Sequence, residues 1–530
     1  MDALVGFAQK DMIEQITVLD EIREQRQGEA VPQLMDLYAT PMGDQAVDEM
    51  VYHTLFELLA DRAEDILAGL GHGSKRVRLL CIRQAGQTSL AAAKPVLVQR
   101  LAVEQDAELI GEVVRALGKM GDPGLIAILL PYLDHEDYSV AAWAMQALVD
   151  IGGDAARHAL RKVVDAGGTA LAADEICDLR IALAVMNLAE FVDEETIEFL
   201  VARIHHPNPS FRRVVINALV EMGEVALPAL EGCLDKGDKD ERIMAANIIG
   251  MMGVKGGVDV LIDLLEEGDD LDANLKFAVY EALGRINSLK SVIGLTDGLE
   301  ETDSMVLMAV IIAMDHLCNP GIVKVLNEAL AKGDEQSGRI VKTIANAHAT
   351  ALFGALYPGP HGDALVKTIL EVGDTEAKAL FRVELDKVGG EKAASDSKRL
   401  AAGESAPRAV TGKILAADDS KAILFFYRGV ANELGVEMLT VPDGKDALEY
   451  LQGNTDIDLL ITDMNMPNMD GVELTREVRK LARWAALPIV MATTESEKSQ
   501  VDLARAAGVS DFISKPFTGE QLKEKIGQYL

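Results

Sequence analysis

The sequence predicts a multidomain protein: an all-α solenoid of paired helices, followed by an α/β doubly wound domain built on a five-stranded parallel sheet. Three observations predict it. A short motif, usually ending in glycine, recurs every 30 to 40 residues through the first two thirds of the 530-residue chain. The composition is 49% apolar but only 4% aromatic, so Leu, Ala, Val, Ile and Met carry the hydrophobicity, as packed helices prefer. Beyond residue 411 the rhythm changes to short β-like runs alternating with amphipathic helical stretches.

The repeats come first in the chain. Leu117-Gly-Lys-Met-Gly-Asp122, Leu148-Val-Asp-Ile-Gly-Gly153, Leu219-Val-Glu-Met-Gly-Glu224 and Ile249-Gly-Met-Met-Gly-Val254 each close an Ala-containing amphipathic helix and precede a second one. Looser copies place equivalent positions at 86, 192, 287 and 318. A helix, a turn and a second helix fit this period. In the clearer copies Gly stands where the first helix must end in a left-handed cap. His135-Glu-Asp, His206-Pro-Asn-Pro, Lys236-Gly-Asp-Lys-Asp and Glu267-Gly-Asp-Asp supply polar breaks between repeats. The pattern resembles HEAT-like repeats of the phycobilisome-lyase type over roughly residues 30 to 350. The α-helical solenoid is assigned residues 1–387. Residues 388–411 lose apolar periodicity and gather Gly, Ala, Ser, Lys and Glu, so a flexible linker is expected there.

Composition narrows the function classes. The net charge is −34, with −28 of it in residues 1–411. Such an acidic chain repels phosphate backbones, which argues against nucleic acid as partner. No apolar run reaches the roughly 18 to 20 residues of a membrane span, and the N-terminus lacks an export signature, so a cytoplasmic protein is expected. Cys81, Cys177, Cys233 and Cys318 are widely spaced in apolar stretches and read as buried free thiols of helices.

Residues 412–530 hold the chemistry. Five strands are expected at Lys413–Ala417, Glu437–Val441, Leu459–Thr462, Pro488–Ala492 and Asp511–Ser514. In a doubly wound sheet the site lies at the carboxyl ends of the strands. Asp418 and Asp419 follow the first strand, Asp463 the third, Thr493 the fourth, and Lys515-Pro516 the fifth. Three clustered carboxylates call for a hard divalent cation, hence Mg²⁺. Asp463 can then act as a nucleophile towards phosphorus, with Lys515 as a point charge and Thr493 as a hydroxyl donor for the transferred group.

With Met466-Pro-Asn-Met-Asp-Gly471 and Lys515-Pro516-Phe517, this set resembles the response-regulator receiver family, flavodoxin-like in fold and nearest to the single-domain chemotaxis receiver. The resemblance implies Asp463 as phosphoacceptor, with Asp419 and Asp463 as side-chain Mg²⁺ ligands. It adds the backbone carbonyl of Asn465 as a ligand and Asp418 as one acting through water. It makes Thr493 and Phe512 switch residues, Lys515 the phosphoryl-binding cation, and the bond before Pro516 cis. The same resemblance implies that Asn465 and Glu495 flank the path of an attacking water and tune the phosphoryl lifetime, expected at seconds to minutes. Two departures are Thr494, where a small Ala is common, and Phe512, which lacks the hydroxyl of Tyr.

Weaker signals read as ordinary structure. Asp270, Asp272, Asn274 and Glu281 match EF-hand positions, but Leu275 replaces the required glycine and an inter-repeat loop is expected. His348 lacks the surroundings of a phosphotransfer histidine, and His135-Glu136 is a lone pair in a loop. The expected function is a two-component response regulator: a histidine kinase or phosphotransfer protein donates to Asp463, which controls a protein-binding scaffold. The alternatives are a receiver-regulated solenoid enzyme of the lyase kind, or a phosphate sink tethered to a signalling complex.

Overall fold

The computed structural model describes residues 4–172, 175–267, 271–402, 412–493 and 498–530. The chain forms two compact units, Met1–Leu171 with Cys177–Thr196, and Ala172–Ile176 with Ile197–Leu530. The division falls inside the helical region, so the second unit contains both later repeats and the α/β domain.

In the first unit, Lys75–Gln87, Ala107–Lys119 and Tyr138–Ile151 are successive helices that pack on one another. In the second, Pro209–Met222, Lys239–Met252, Ala273–Arg285, Ser304–His316 and Glu335–Asn346 continue the same pattern. Three of the polar breaks supply helix caps, through Asp137, Asn208 and Asp238, whereas residues 268–270 of the fourth lie outside the described part. Asp106, Asp137, Asn208, Asp238, Asp272 and Asp303 each accept a backbone N–H of the first turn that follows. Asp238 completes a capping box with Glu241.

Gly121, Gly152, Gly223 and Gly253 take φ of +63° to +72° at the ends of their helices, as the turn requires. Gly86 does not. It lies inside its helix, where a Cβ would stand 2.7 Å from Ala116 Cα. The same close approach joins Gly250 to Ala282, so these glycines let neighbouring repeats touch backbone to backbone.

Two expectations need correction. Gly390–Ala402, within the stretch expected to be flexible, is a helix that buries Ala393 and Leu400 against Thr375–Val388. Residues 403–411 lie outside the described part. Of the four cysteines only Cys81 is buried, and Cys177 and Cys318 lie in connections, not helices.

The α/β domain has strands β1 (Lys413–Ala417), β2 (Glu437–Val441), β3 (Leu459–Asp463), β4 (Ile489–Thr493) and β5 (Asp511–Ser514). All pairings are parallel, in the order β2-β1-β3-β4-β5. Alternate strand residues feed two core layers, Leu415, Leu460 and Met491 on one face, and Ile414, Ile461 and Val490 on the other. Met305 joins the second layer from the repeats. The helix Lys421–Leu434 packs on Ser304–His316 and Glu335–Asn346, so the domain is docked on the array. Arg428 pairs with Glu376 at 2.5 Å, Asn432 donates to Val372 O at 2.9 Å, and the rings of Phe425 and His348 lie 4.8 Å apart. His348, also 3.4 Å from Asp374, is thus a structural histidine of this contact.

Candidate functional site

Parallel strands that end in register place their last side chains together. Asp463 ends β3, Thr493 ends β4, Asp418 and Asp419 follow β1, and Lys515 follows β5. Lys515 Nζ donates to Asp418 Oδ2 at 2.7 Å and to Asp463 Oδ1 at 2.5 Å. The other oxygen of Asp463 accepts the Asn465 backbone N–H at 2.7 Å. Asp418 also accepts the Ser420 N–H at 3.0 Å. Thr493, 3% exposed, points its hydroxyl to Met464 Sδ at 3.8 Å. The Lys515–Pro516 bond is cis. Gly471 is sterically required, because a Cβ there would meet Asp463 O at 2.1 Å.

The electrostatics follow from crowding charge into a covered site. Burial pushes the Asp418 carboxyl well above its usual range, with Asp463 and Asp419 adding to the shift and Lys515 opposing it. Asp419 opens onto a cavity but is closely surrounded by protein. Burial, Asp463 and Glu281 push it up to about 7. For Lys515, burial alone would favour the neutral amine. The charges of Asp418 and Asp463 outweigh it and hold the ammonium protonated. Among the described residues no three His, Cys, Asp or Glu side chains are placed to hold a metal by themselves. Two carboxylates, a backbone carbonyl and water suit Mg²⁺, which keeps several waters when bound, so the donor set fits that ion.

Phe512 is half-buried against the core layer of Leu415, Leu460 and Met491, with the Arg505 guanidinium 5.8 Å from its ring. Glu495 and Thr494 lie outside the described residues, as does Asp270.

Residues of the repeats reach this site, Arg212, Asn274, Glu281 and Arg285 among them, and sequence reasoning assigned none of these to it. Arg212 Nη2 donates to Asn465 Oδ1 at 2.6 Å, and Asn274 Nδ2 donates to Lys515 O at 2.5 Å. Glu281 and Arg285 act on Asp419 with opposite signs. Together with Asp419, Asp463 and Lys515 they enclose a cavity of about 500 Å³. Asn274 and Glu281 carried an EF-hand-like spacing; their true neighbours are the strand-end loops, more than 130 residues away in sequence. Tyr427 was also missed. Its buried ring stacks on Phe517 at 5.9 Å, and its hydroxyl, close enough to feel the charges of Asp418 and Lys515, has no hydrogen-bond partner among the described residues.

A five-stranded parallel sheet with an acidic cluster and a lysine at its carboxyl edge, behind a helical array, defines a receiver joined to a repeat scaffold. The response regulator receiver domain model matches residues 414–527, and HEAT repeats match four overlapping segments between 63 and 315. The chain belongs to the response-regulator receiver family through this C-terminal domain. It is 43% identical over 115 residues to chemotaxis protein CheY1 of Helicobacter pylori, covering 22% of this chain and 93% of that one. It is 40% identical over 119 residues to the chemotaxis protein CheY homolog of Campylobacter jejuni, covering 22% and 92%. Among solved structures, the chemotaxis response regulator CheY4 of Vibrio cholerae shares 34% identity, with 22% of this chain and 98% of that chain covered and a TM-score of 0.22. Receiver domains are signalling phosphoacceptors, in general not enzymes. They generally bind Mg²⁺ at the phosphorylation site and interact with histidine kinases or phosphotransfer proteins. No described helix is long and apolar enough to cross a membrane.

Proposed function

We propose that the chain is a cytoplasmic response regulator in which Asp463 accepts a phosphoryl group and the HEAT array, residues 1–387, is a protein-binding scaffold coupled to it. The observation that carries this reading is Lys515 bonded to both Asp418 and Asp463 at the common edge of β1, β3 and β5. An oxygen of Asp463 attacks phosphorus, and the donor's P–N or P–O bond breaks with its electron pair leaving on the donor. The ammonium of Lys515, already on Asp463, passes to the incoming phosphoryl oxygens, and the Thr493 hydroxyl lies at the adjacent strand end to donate to them. Asp419, Asp463 and the carbonyl of Asn465 would hold Mg²⁺, with Asp418 acting through water; the ion would supply charge neutralisation as the phosphoryl group arrives. Phe512 and Thr493 would report the modified state, and Asn465 with Glu495 would tune its lifetime.

The test is chemical. Acetyl phosphate with Mg²⁺ should place one hydroxylamine-sensitive acyl phosphate on the full chain, and Asp463→Asn should prevent it. Stoichiometric labelling that survives Asp463→Asn would move the acceptor elsewhere.

A further inference from the structure

Arg212 stands apart from the other basic residues of the cavity because both ends of its guanidinium are fixed. It lies in the first turn of Pro209–Met222 and is only 2% exposed. Nη1 donates to His206 O at 3.0 Å, on its own side of the cavity, while Nη2 crosses to Asn465 Oδ1 at 2.6 Å. The Asn465 backbone N–H bonds Asp463 Oδ2, so this asparagine is held beside the acceptor carboxylate from both directions. A planar fork fixed at two points holds an amide in one orientation, which a flexible ammonium could not do.

We propose that Arg212 is a positioning residue for the phosphoryl group on Asp463, acting through Asn465, so that the docked repeat array prolongs the phosphorylated state. This rests on the reading of Asp463 as acceptor. In hydrolysis, a water oxygen bonds to phosphorus and the phosphorus–oxygen bond to Asp463 breaks. The electron pair stays on the carboxylate, and the water's proton leaves with inorganic phosphate. An amide oxygen beside the acceptor is well placed to orient that water by accepting its hydrogen bond. Arg212 engages that oxygen and holds the amide in place. That restraint slows hydrolysis, and it depends on the array being docked.

The experiment uses the full chain, labelled with acetyl phosphate and Mg²⁺, freed of donor, and followed for loss of acyl phosphate. Arg212→Met should shorten the half-life about fivefold, the low end of ordinary coupling between two sites. In an Asn465→Ala background the same substitution should change it little, because its route has gone. An unchanged or longer half-life in Arg212→Met, or the same shortening in both backgrounds, overturns the proposal. If Arg212→Met does not fold, Arg212→Lys serves in the same comparison, since one ammonium cannot span His206 O and Asn465 Oδ1. Labelling that is stoichiometric in the parent chain and absent from Asp463→Asn establishes the acceptor separately. A failed lifetime comparison then falls on Arg212 alone.

Discussion

Replacing Lys515 by Met tests how the carboxylate cluster is held together. The ammonium bonds two carboxylates at 2.7 and 2.5 Å, and the three side chains are 11%, 0% and 12% exposed, so water cannot readily take its place. Removing one partner of a buried ion pair costs roughly 3–5 kcal/mol, because the other charge is left uncompensated. Asp418, whose carboxyl already lies well above its usual range, relieves part of this by taking up a proton. The expected loss near neutral pH is therefore about 3 kcal/mol, the lower end of that range. At a urea slope of roughly 2 kcal/mol/M it moves the receiver's midpoint down by about 1.5 M. Trp484 is the reporter, being 6% exposed with its indole N–H on Leu451 O at 2.8 Å; Trp143→Phe removes the chain's other tryptophan. Measured in EDTA, Lys515→Met should show the full loss, and Asp418→Asn in the same chain should recover part of it by removing a charge. A loss below about 1 kcal/mol, or no recovery in the double variant, would refute the view that Lys515 holds the cluster against its own repulsion.

Three further outcomes follow from the packing. Gly250→Val should destabilise the second unit by about 1–3 kcal/mol in thermal melts followed by circular dichroism, since even a Cβ would lie 2.7 Å from Ala282 Cα. Tyr427→Phe should raise receiver stability by about 1 kcal/mol in urea, because it removes a buried hydroxyl with no partner while keeping the ring on Phe517. Asp315, raised mainly by burial, contributes stability that is complete below the ordinary carboxylate range and is lost as pH rises through its folded value. Asp315→Asn, still able to accept the Leu352 N–H, should therefore gain on the parent chain as pH is raised from 4 to 7 in parallel melts.

The sequence was legible where local pattern decides structure. Apolar runs followed by Asp418, Asp463, Thr493 and Lys515 place those groups on one sheet edge, because parallel strands in register end together. The polar breaks between repeats were legible as interruptions, and the structure adds that Asp137, Asn208 and Asp238 within them are helix caps. Gly390–Ala402 misled because only a few apolar residues, Ala393 and Leu400 among them, secure it, and sparse contacts leave no strong period to read. Arg212, Asn274, Glu281 and Arg285 were invisible for another reason. Repeat spacing specifies how each helix meets the next, and says nothing about which distant loop the array will meet. The flexible linker expected before the receiver gave no hint that its strand-end edge would be the part covered.

If Asp463 is the acceptor, that covering makes it and the scaffold two ends of one balance. Arg212 and Asn274 belong to the array and Asn465 and Lys515 to the receiver, so work done on one side of these bonds is felt on the other. If phosphorylation tightens the array's hold by some factor, a protein that lifts the array away must weaken the hold on phosphate by that same factor. Such a protein would lower the equilibrium level of phosphorylation by binding and would itself bind the phosphorylated chain less tightly, with no direct touch between it and Asp463.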